Sequence, residues 1–222
     1  MRVKICGIQN EHDLQTAVEA GTDAVGFLVG QLHKSSSFIL PSTAARLAHL
    51  LPPYVTPVIV THLTTAEEIK EILDKSGIYC VQLHGIENEQ VFKLRDMLPV
   101  HSKIILAEYV ENLSNDNNLE ELYPVIDAIA LDCYNKEPSL IGVSSEGKSY
   151  EWRAGAEFVS QCPLPVILTG GLNPDNVGAA IGAVRPFGVD ACTSLKDDTI
   201  ASCDQEKCRN FVKRAKTAFL SL

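Results

Sequence analysis

Short apolar runs alternate with amphipathic ones from one end of the chain to the other. Each short run is rich in β-branched or apolar residues and gives way to a glycine or a polar loop. A stretch then follows in which apolar residues recur at helical spacing, the pattern of a strand followed by a half-buried helix. Strands are predicted at Val3–Ile5, Ala24–Val29, Thr56–Val60, Cys80–Leu83, Ile104–Ala107, Ala128–Leu131, Val166–Leu168 and Val189–Ala191. Helices are predicted at Glu11–Ala20, Pro41–Leu50, Ala66–Ser76, Glu89–Leu98, Leu119–Tyr123, Arg153–Ser160, Pro174–Val184 and Asp204–Phe219. Eight strand-then-helix units in 222 residues are the pattern of a small parallel (β/α)8 TIM barrel of the α/β class, whose chemistry sits at the C-terminal ends of the strands. An open doubly wound sheet is the alternative arrangement of the same units, and their regular repetition favours closure.

Composition narrows this reading. With 45% hydrophobic residues and no Pro-, Ser- or charge-rich linker, the chain is expected to form one domain over residues 1–222. A net charge of -9 and a pI near 5.1 argue against a broad nucleic-acid surface, while leaving room for a local basic pocket that takes a phosphate. Met1-Arg2-Val3 leads directly into a strand, with no signal-peptide pattern. No apolar stretch approaches the ~18 residues of a membrane span, so a cytoplasmic protein without membrane partners is expected. Seven cysteines, an odd number without framework spacing, fit reduced thiols. Cys80 inside a strand and Cys162 beside prolines read as packing residues. Cys203 and Cys208 are too few and too loosely spaced for zinc.

Cys6 stands out because it closes the run Val3-Lys4-Ile5-Cys6 and is followed by Gly7, so its thiol is placed to face a pocket. To act as a base it must be a thiolate, which asks for an electropositive neighbour to lower a pKa of about 8.5. Lys4, two residues back on the same strand face, is the candidate. The opposing reading makes Cys6 a small buried hydrophobe.

Several words along the chain carry a family resemblance. Lys4-Ile5-Cys6-Gly7-Ile8, Asp23-Ala24-Val25-Gly26-Phe27, Val81-Gln82-Leu83-His84-Gly85, Gly170-Gly171-Leu172-Asn173-Pro174-Asp175-Asn176-Val177 and Val184-Arg185-Pro186-Phe187-Gly188-Val189-Asp190 resemble, in order and over the whole length, the phosphoribosylanthranilate isomerase family. The resemblance implies an Amadori rearrangement of tryptophan biosynthesis, in which an aminoaldose phosphate becomes an aminoketose phosphate without a cofactor. It further implies that a cysteine on the first strand is the base and an aspartate ending the sixth strand is the acid, here Cys6 and Asp132. Partial burial at the end of Ala128–Leu131 suits a carboxyl that must hold a proton near neutral pH; a helix or loop cap is the blander role for Asp132. Lys4, Lys34, His84, Gly147 and Lys148 are the implied substrate-binding residues. Gly170, Gly171, Thr193 and Ser194 are those for phosphate. Asn173 as N-cap and Pro174 as first helical residue would present backbone amides to that anion. A monomer or a homodimer is expected.

The sequence also departs from the family's pattern. Ser194 stands where a glycine is expected after the eighth strand, which would strain it if that position needs positive φ, and the Thr193 and Ser194 hydroxyls or Lys196 could bind phosphate instead. After the second strand, His33-Lys34-Ser35-Ser36-Ser37-Phe38 lacks the arginine that faces the anthranilate carboxylate. Lys34 replaces its charge without its bidentate fork. In Gly142-Val143-Ser144-Ser145-Glu146-Gly147-Lys148, only Gly147-Lys148 and the later Trp152 match the sixth loop's pattern. Two other functions therefore stay open: a related barrel enzyme for a different phosphorylated sugar, with or without a metal, and a non-catalytic binder of a phosphometabolite. His33, His62 and His84 follow adjacent strands and could ligate a divalent metal. Against this, His84 belongs to the family's Gln-Leu-His-Gly word, where no metal is bound. His12, His49 and His101 read as surface residues, Glu67–Glu71 as a solvated helix face, and Asn112–Glu121 as a polar loop.

Overall fold

The structure, a computed structural model, describes residues 1–32, 37–113, 118–133, 145–197 and 201–220, with 145–151 described by backbone alone. Eight strands, β1 (Arg2–Cys6), β2 (Ala24–Leu28), β3 (Thr56–Thr61), β4 (Cys80–His84), β5 (Lys103–Tyr109), β6 (Ala128–Asp132), β7 (Val166–Thr169) and β8 (Gly188–Ala191), form a closed barrel in sequence order. Every neighbouring pair is parallel, and closure is made by β1 against β8 through Arg2↔Gly188, Val3↔Val189, Lys4↔Asp190 and Ile5↔Ala191. That last pairing rules out the open sheet, which would leave β1 and β8 unpaired.

Helices α1 (Glu11–Ala20), α2 (Pro41–Ala48), α3 (Ala66–Ser76), α4 (Asn88–Met97), α5 (Leu119–Leu122), α6 (Ser145–Gln161), α7 (Val177–Val184) and α8 (Gln205–Leu220) follow the strands in turn. Local chemistry sets several of their starts. Asn10 caps α1 by accepting the Asp13 N–H, and Thr65 caps α3 by accepting that of Glu68, satisfying amides that the first turn leaves without partners. Two starts differ from the sequence expectation by more than one residue. α6 begins at Ser145 rather than Arg153, because its first two turns carry no apolar stripe for periodicity to register. α7 begins at Val177 rather than Pro174: the Asn173 side chain accepts the N–H groups of both Asp175 and Asn176, so it caps a separate turn ahead of the helix.

Strand alternation sorts the side chains into two cores. Outward residues such as Val3, Ile5, Val25, Phe27, Ile59, Leu83, Ile129 and Leu168 pack under the helices. Inside the barrel lie Cys6, Val58, Val60, Ile105, Ala107, Ala128 and Ala130, with Ala24, Leu28, Cys80, Ile167 and Cys192 against them. Burial pushes the Cys80 thiol up to about 11, in keeping with a packing role. Charged groups also enter this interior: Lys4 Nζ lies 2.7 Å from Asp190 Oδ2, with both side chains 5% exposed. Among the described residues no helix is long and apolar enough to cross a membrane.

Candidate active site

The C-terminal end of the barrel gathers the chemistry. Cys6 is the last residue of β1 and is 6% exposed. The chain turns sharply after it at Gly7, φ +79°, and the N–H groups of Gly7 and Ile8 both donate to Gly26 O at 3.0 Å. Cys192 comes directly after β8. Since Lys4 pairs with Asp190 and Ile5 with Ala191, the same register sets Cys6 beside Cys192, and both lie two residues beyond the inward Lys4–Asp190 pair.

The two thiols are hydrogen-bonded to each other. This bond, with burial added, holds the Cys6 thiol well above its ordinary range, and the same bond, supported by the Lys196 ammonium, lowers Cys192. The expectation that Lys4 would leave Cys6 acidified is corrected here. Lys4 does point inward and its field favours the Cys6 thiolate, but its ammonium is committed to Asp190 and, at 2.8 Å, to Gln82 Oε1. The anionic partner offsets the charge that would have stabilised the thiolate. Lys4 thus sits beneath the thiols, and the sulfur that the local field favours as anion is Cys192.

Asp132 ends β6 at the same end of the barrel, inward by alternation with Ala128 and Ala130 and half-buried. It pairs in register with Tyr109 of β5 and Thr169 of β7. Burial raises the Tyr109 phenol and the Asp132 carboxylate adds to that rise. Cys6 and Asp132 therefore face one mouth from β1 and β6.

His84, the last residue of β4, joins a polar chain that crosses the interior. Its Nε2 lies 3.1 Å from Gln82 Nε2. Because Gln82 Oε1 already accepts from Lys4, the Gln82 amide must donate to His84, which fixes Nε2 as the acceptor and places the proton of the neutral ring on Nδ1. His62, just after β3, stacks on His84 with centroids 4.6 Å apart. His33 lies outside the described residues, so the three-histidine grouping is not assembled here. Among the described residues no cluster of three or more His, Cys, Asp or Glu is placed to hold a metal ion.

The loops after β7 and β8 meet beside this mouth. Gly170 and Gly171 both have positive φ, +88° and +63°, which leaves backbone open at the rim. Thr193 to Leu195 form a 3-10 turn, and the Ser194 hydroxyl donates to Leu172 O, tying the two loops together. Ser194 is not at positive φ. The strain anticipated from its replacement of a glycine is therefore absent, since the turn takes an ordinary right-handed conformation there. Lys196, weighed as a phosphate ligand, is instead buried, and its ammonium donates to Gly7 O, Ser37 Oγ and Ala201 O at 2.8, 2.8 and 3.1 Å. Lys34 lies outside the described residues; Gly147 and Lys148 fall on α6 where only the backbone is described. Trp152 packs against the outer core.

Three contributors were given no role by the sequence: Cys192, Gln82 and Gly26. Their common signal is position relative to an inward residue. Cys192 is two residues after Asp190, and Gln82 two before His84. A β-carbon built at Gly26 would lie 2.5 Å from Cys6 Sγ and 3.1 Å from Lys4 Cε, so the glycine is a space requirement of the site. Gly26→Ala is expected to displace Cys6, costing about 1–3 kcal/mol of stability through overpacking and at least tenfold in turnover, since misplacement by an ångström can cost about 10²-fold. Steady-state kinetics with urea unfolding would check both, and wild-type turnover in the variant would show that Cys6 needs no such clearance.

A parallel eightfold barrel with a thiol and a carboxyl at its mouth and a paired-glycine loop after β7 defines a barrel enzyme suited to proton transfers on a small anionic substrate. Comparison with known proteins makes this specific. The family model for N-(5'phosphoribosyl)anthranilate (PRA) isomerase matches residues 3–214. N-(5'-phosphoribosyl)anthranilate isomerase 2 of Methanosarcina mazei is 38% identical, covering 100% of this chain and 97% of its own. The crystal structure of phosphoribosyl anthranilate isomerase from Thermotoga maritima superimposes with a TM-score of 0.77 at 33% identity, over 98% of this chain and 99% of that one. A structure of such an isomerase in complex with reduced 1-(o-carboxyphenylamino)-1-deoxyribulose 5-phosphate gives a TM-score of 0.75 at 32% identity, over 98% and 99% of the two chains. The chain belongs to the N-(5'-phosphoribosyl)anthranilate isomerase family.

Proposed function

We propose that the chain isomerises N-(5'-phosphoribosyl)anthranilate to the corresponding aminoketose phosphate in tryptophan biosynthesis, with Asp132 as general acid and Cys6 as general base. The observation that carries this assignment is that Cys6 and Asp132, from the ends of β1 and β6, are inward residues of the same barrel mouth. Asp132 gives its proton to the furanose ring oxygen as the bond from that oxygen to C1 breaks, leaving a Schiff base between C1 and the anthranilate nitrogen. Cys6 then takes the proton from C2, and the released electron pair flows toward the nitrogen to give the enolamine. Protonation at C1, as the C2 hydroxyl becomes a carbonyl, completes the ketose.

The Cys6–Cys192 hydrogen bond fits this role when the two thiols work as a unit. An anion on Cys192 accepts the Cys6 proton, leaving Cys6 free to take the one from C2, and Lys196 supports the charge. The positive-φ Gly170–Gly171 backbone and the exposed Thr193 support a phosphate seat at the joined β7 and β8 loops, placing the sugar between thiol and carboxyl. His84, held at the end of β4 by Gln82, supports a substrate-binding role at the same mouth.

The test is turnover of phosphoribosylanthranilate generated in situ, followed by loss of its fluorescence and by appearance of the ketose carbonyl in the carbon NMR spectrum. Multiple turnovers are expected. Binding without product, by a folded protein, would overturn the assignment in favour of a non-catalytic relative.

A further inference from the structure

We propose that Cys6 and Cys192 form a peroxide-oxidisable dithiol, a modification site at which an intramolecular disulfide reversibly removes the base from the barrel mouth. The fold brings the pair together through the β1–β8 closure, where Lys4↔Asp190 and Ile5↔Ala191 set the register. Both sulfurs belong to the same interior cluster. Neighbouring strands lie about 4.8 Å apart, within the Cα separation of about 4.4–6.8 Å that a disulfide spans. The two thiols already interact across this seam. The Gly7 turn leaves the room for this arrangement: a β-carbon there would lie 2.7 Å from Cys192 Sγ.

The two thiols are unequal in the way such chemistry requires. Cys192 is only partly buried, its thiol is lowered, and the Lys196 ammonium stands by it, so it is the better thiolate and the one an oxidant reaches first. Its sulfur attacks one oxygen of hydrogen peroxide, forming an S–O bond as the O–O bond breaks, and the departing hydroxide leaves as water after taking a proton. Cys6 sulfur then attacks the Cys192 sulfenic acid. The S–S bond forms, the S–O bond breaks, and a second water leaves with the Cys6 proton. Two thiols lose two electrons and one peroxide becomes two waters. A dithiol reductant reverses the step by exchange.

Cys203 and Cys208 provide an internal control. They too are hydrogen-bonded, but both are buried, and that bond with burial pushes Cys203 far up. Proximity without an accessible thiolate should not react.

The experiment treats reduced wild-type protein with equimolar hydrogen peroxide, blocks remaining thiols by alkylation and maps the peptides by mass spectrometry. The expected result is a species lighter by two hydrogen atoms with the Cys6 and Cys192 peptides joined. Isomerase activity should fall in proportion to the joined fraction and return fully with dithiothreitol. In Cys192→Ser no cross-link to Cys6 should form, and whatever activity that variant has should not show dithiothreitol-reversible loss. An unchanged mass, a Cys203–Cys208 linkage in place of Cys6–Cys192, or oxidation confined to Cys6 as sulfinic acid would each overturn the proposal. The mass readout needs no turnover, so it stands or falls separately from the isomerase assignment.

Discussion

Cys6→Ser is expected to leave the barrel folded and to cut turnover by about 10²–10⁴-fold, the usual contribution of a positioned general base. The substitution keeps a small side chain capable of one hydrogen bond toward Cys192, so the packing around Gly26 and Lys4 is retained. A hydroxyl, however, does not ionise where a thiol does, and the C2 proton of the Schiff base then has no acceptor at the end of β1. Asp132→Asn should bring a loss of similar size by a different route, because an amide cannot protonate the ring oxygen and the sugar stays closed. Both variants should retain the wild-type circular dichroism spectrum. Undiminished turnover in either would remove that residue from the mechanism.

The pH dependence tests the thiol pair more finely. A base works unprotonated, so kcat/KM should fall as pH falls through the lower apparent pKa of the Cys6–Cys192 unit, whose steps belong to the pair and not to one residue. In Cys192→Ala the two thiol steps should collapse to one. A profile identical to wild type would mean that Cys6 titrates alone.

Lys4→Met carries the largest expected loss of stability, about 3–5 kcal/mol. Lys4 and Asp190 are paired at 2.7 Å deep in the barrel, and Asp190 Oδ1 is buried with no hydrogen-bond partner among the described residues. Removing the ammonium strands a buried carboxylate and leaves Gln82 Oε1 without its donor. The expected consequence is a fall in melting temperature of roughly 10 °C for a chain of this size. Lys4→Met with Asp190→Leu should recover most of it, because apolar groups of similar volume replace a buried ion pair at little net cost. Urea unfolding of the three proteins measures this directly; a single variant within about 0.5 kcal/mol of wild type would place Lys4 among ordinary surface substitutions.

The same pair makes a pH prediction. The Asp190 carboxylate overcomes the burial that disfavours the Lys4 charge and holds its pKa above the usual lysine range. A lysine raised in the folded state stabilises fully below its unfolded pKa of about 10.4 and loses that contribution as pH rises through the folded value. Stability should therefore decline on the strongly alkaline side, and Lys4→Met should lack that part of the decline.

How much of this was legible in the sequence depends on the distance over which each feature is decided. Among the described residues, periodicity marks strands β1 to β8 and helices α1 to α8, with α1 and α3 bounded as expected, because apolar spacing and caps such as Asn10 and Thr65 act within a few residues. The start of α6 at Ser145 is not legible, because its first turns form without an apolar stripe. Asn173 is legible as a cap, but which turn it caps is not, since an Asx turn and a helix start use the same side chain on the same amides.

For the site, the positions of Cys6 and Asp132 at the ends of their strands and of two glycines after β7 can be read from the chain alone, because strand ends and turns are local. What surrounds them is set by the folded barrel. The state of Cys6 depends on Cys192, from a strand at the other end of the chain, and the charge of Lys4 is taken up by Asp190 and Gln82 through the closing register. Lys196, which looked free to take a phosphate, is buried against Gly7 and Ser37. Local pattern fixes which side chains point inward, but electrostatics and hydrogen bonding act through space, and the neighbours that set a pKa are chosen by barrel closure and strand register.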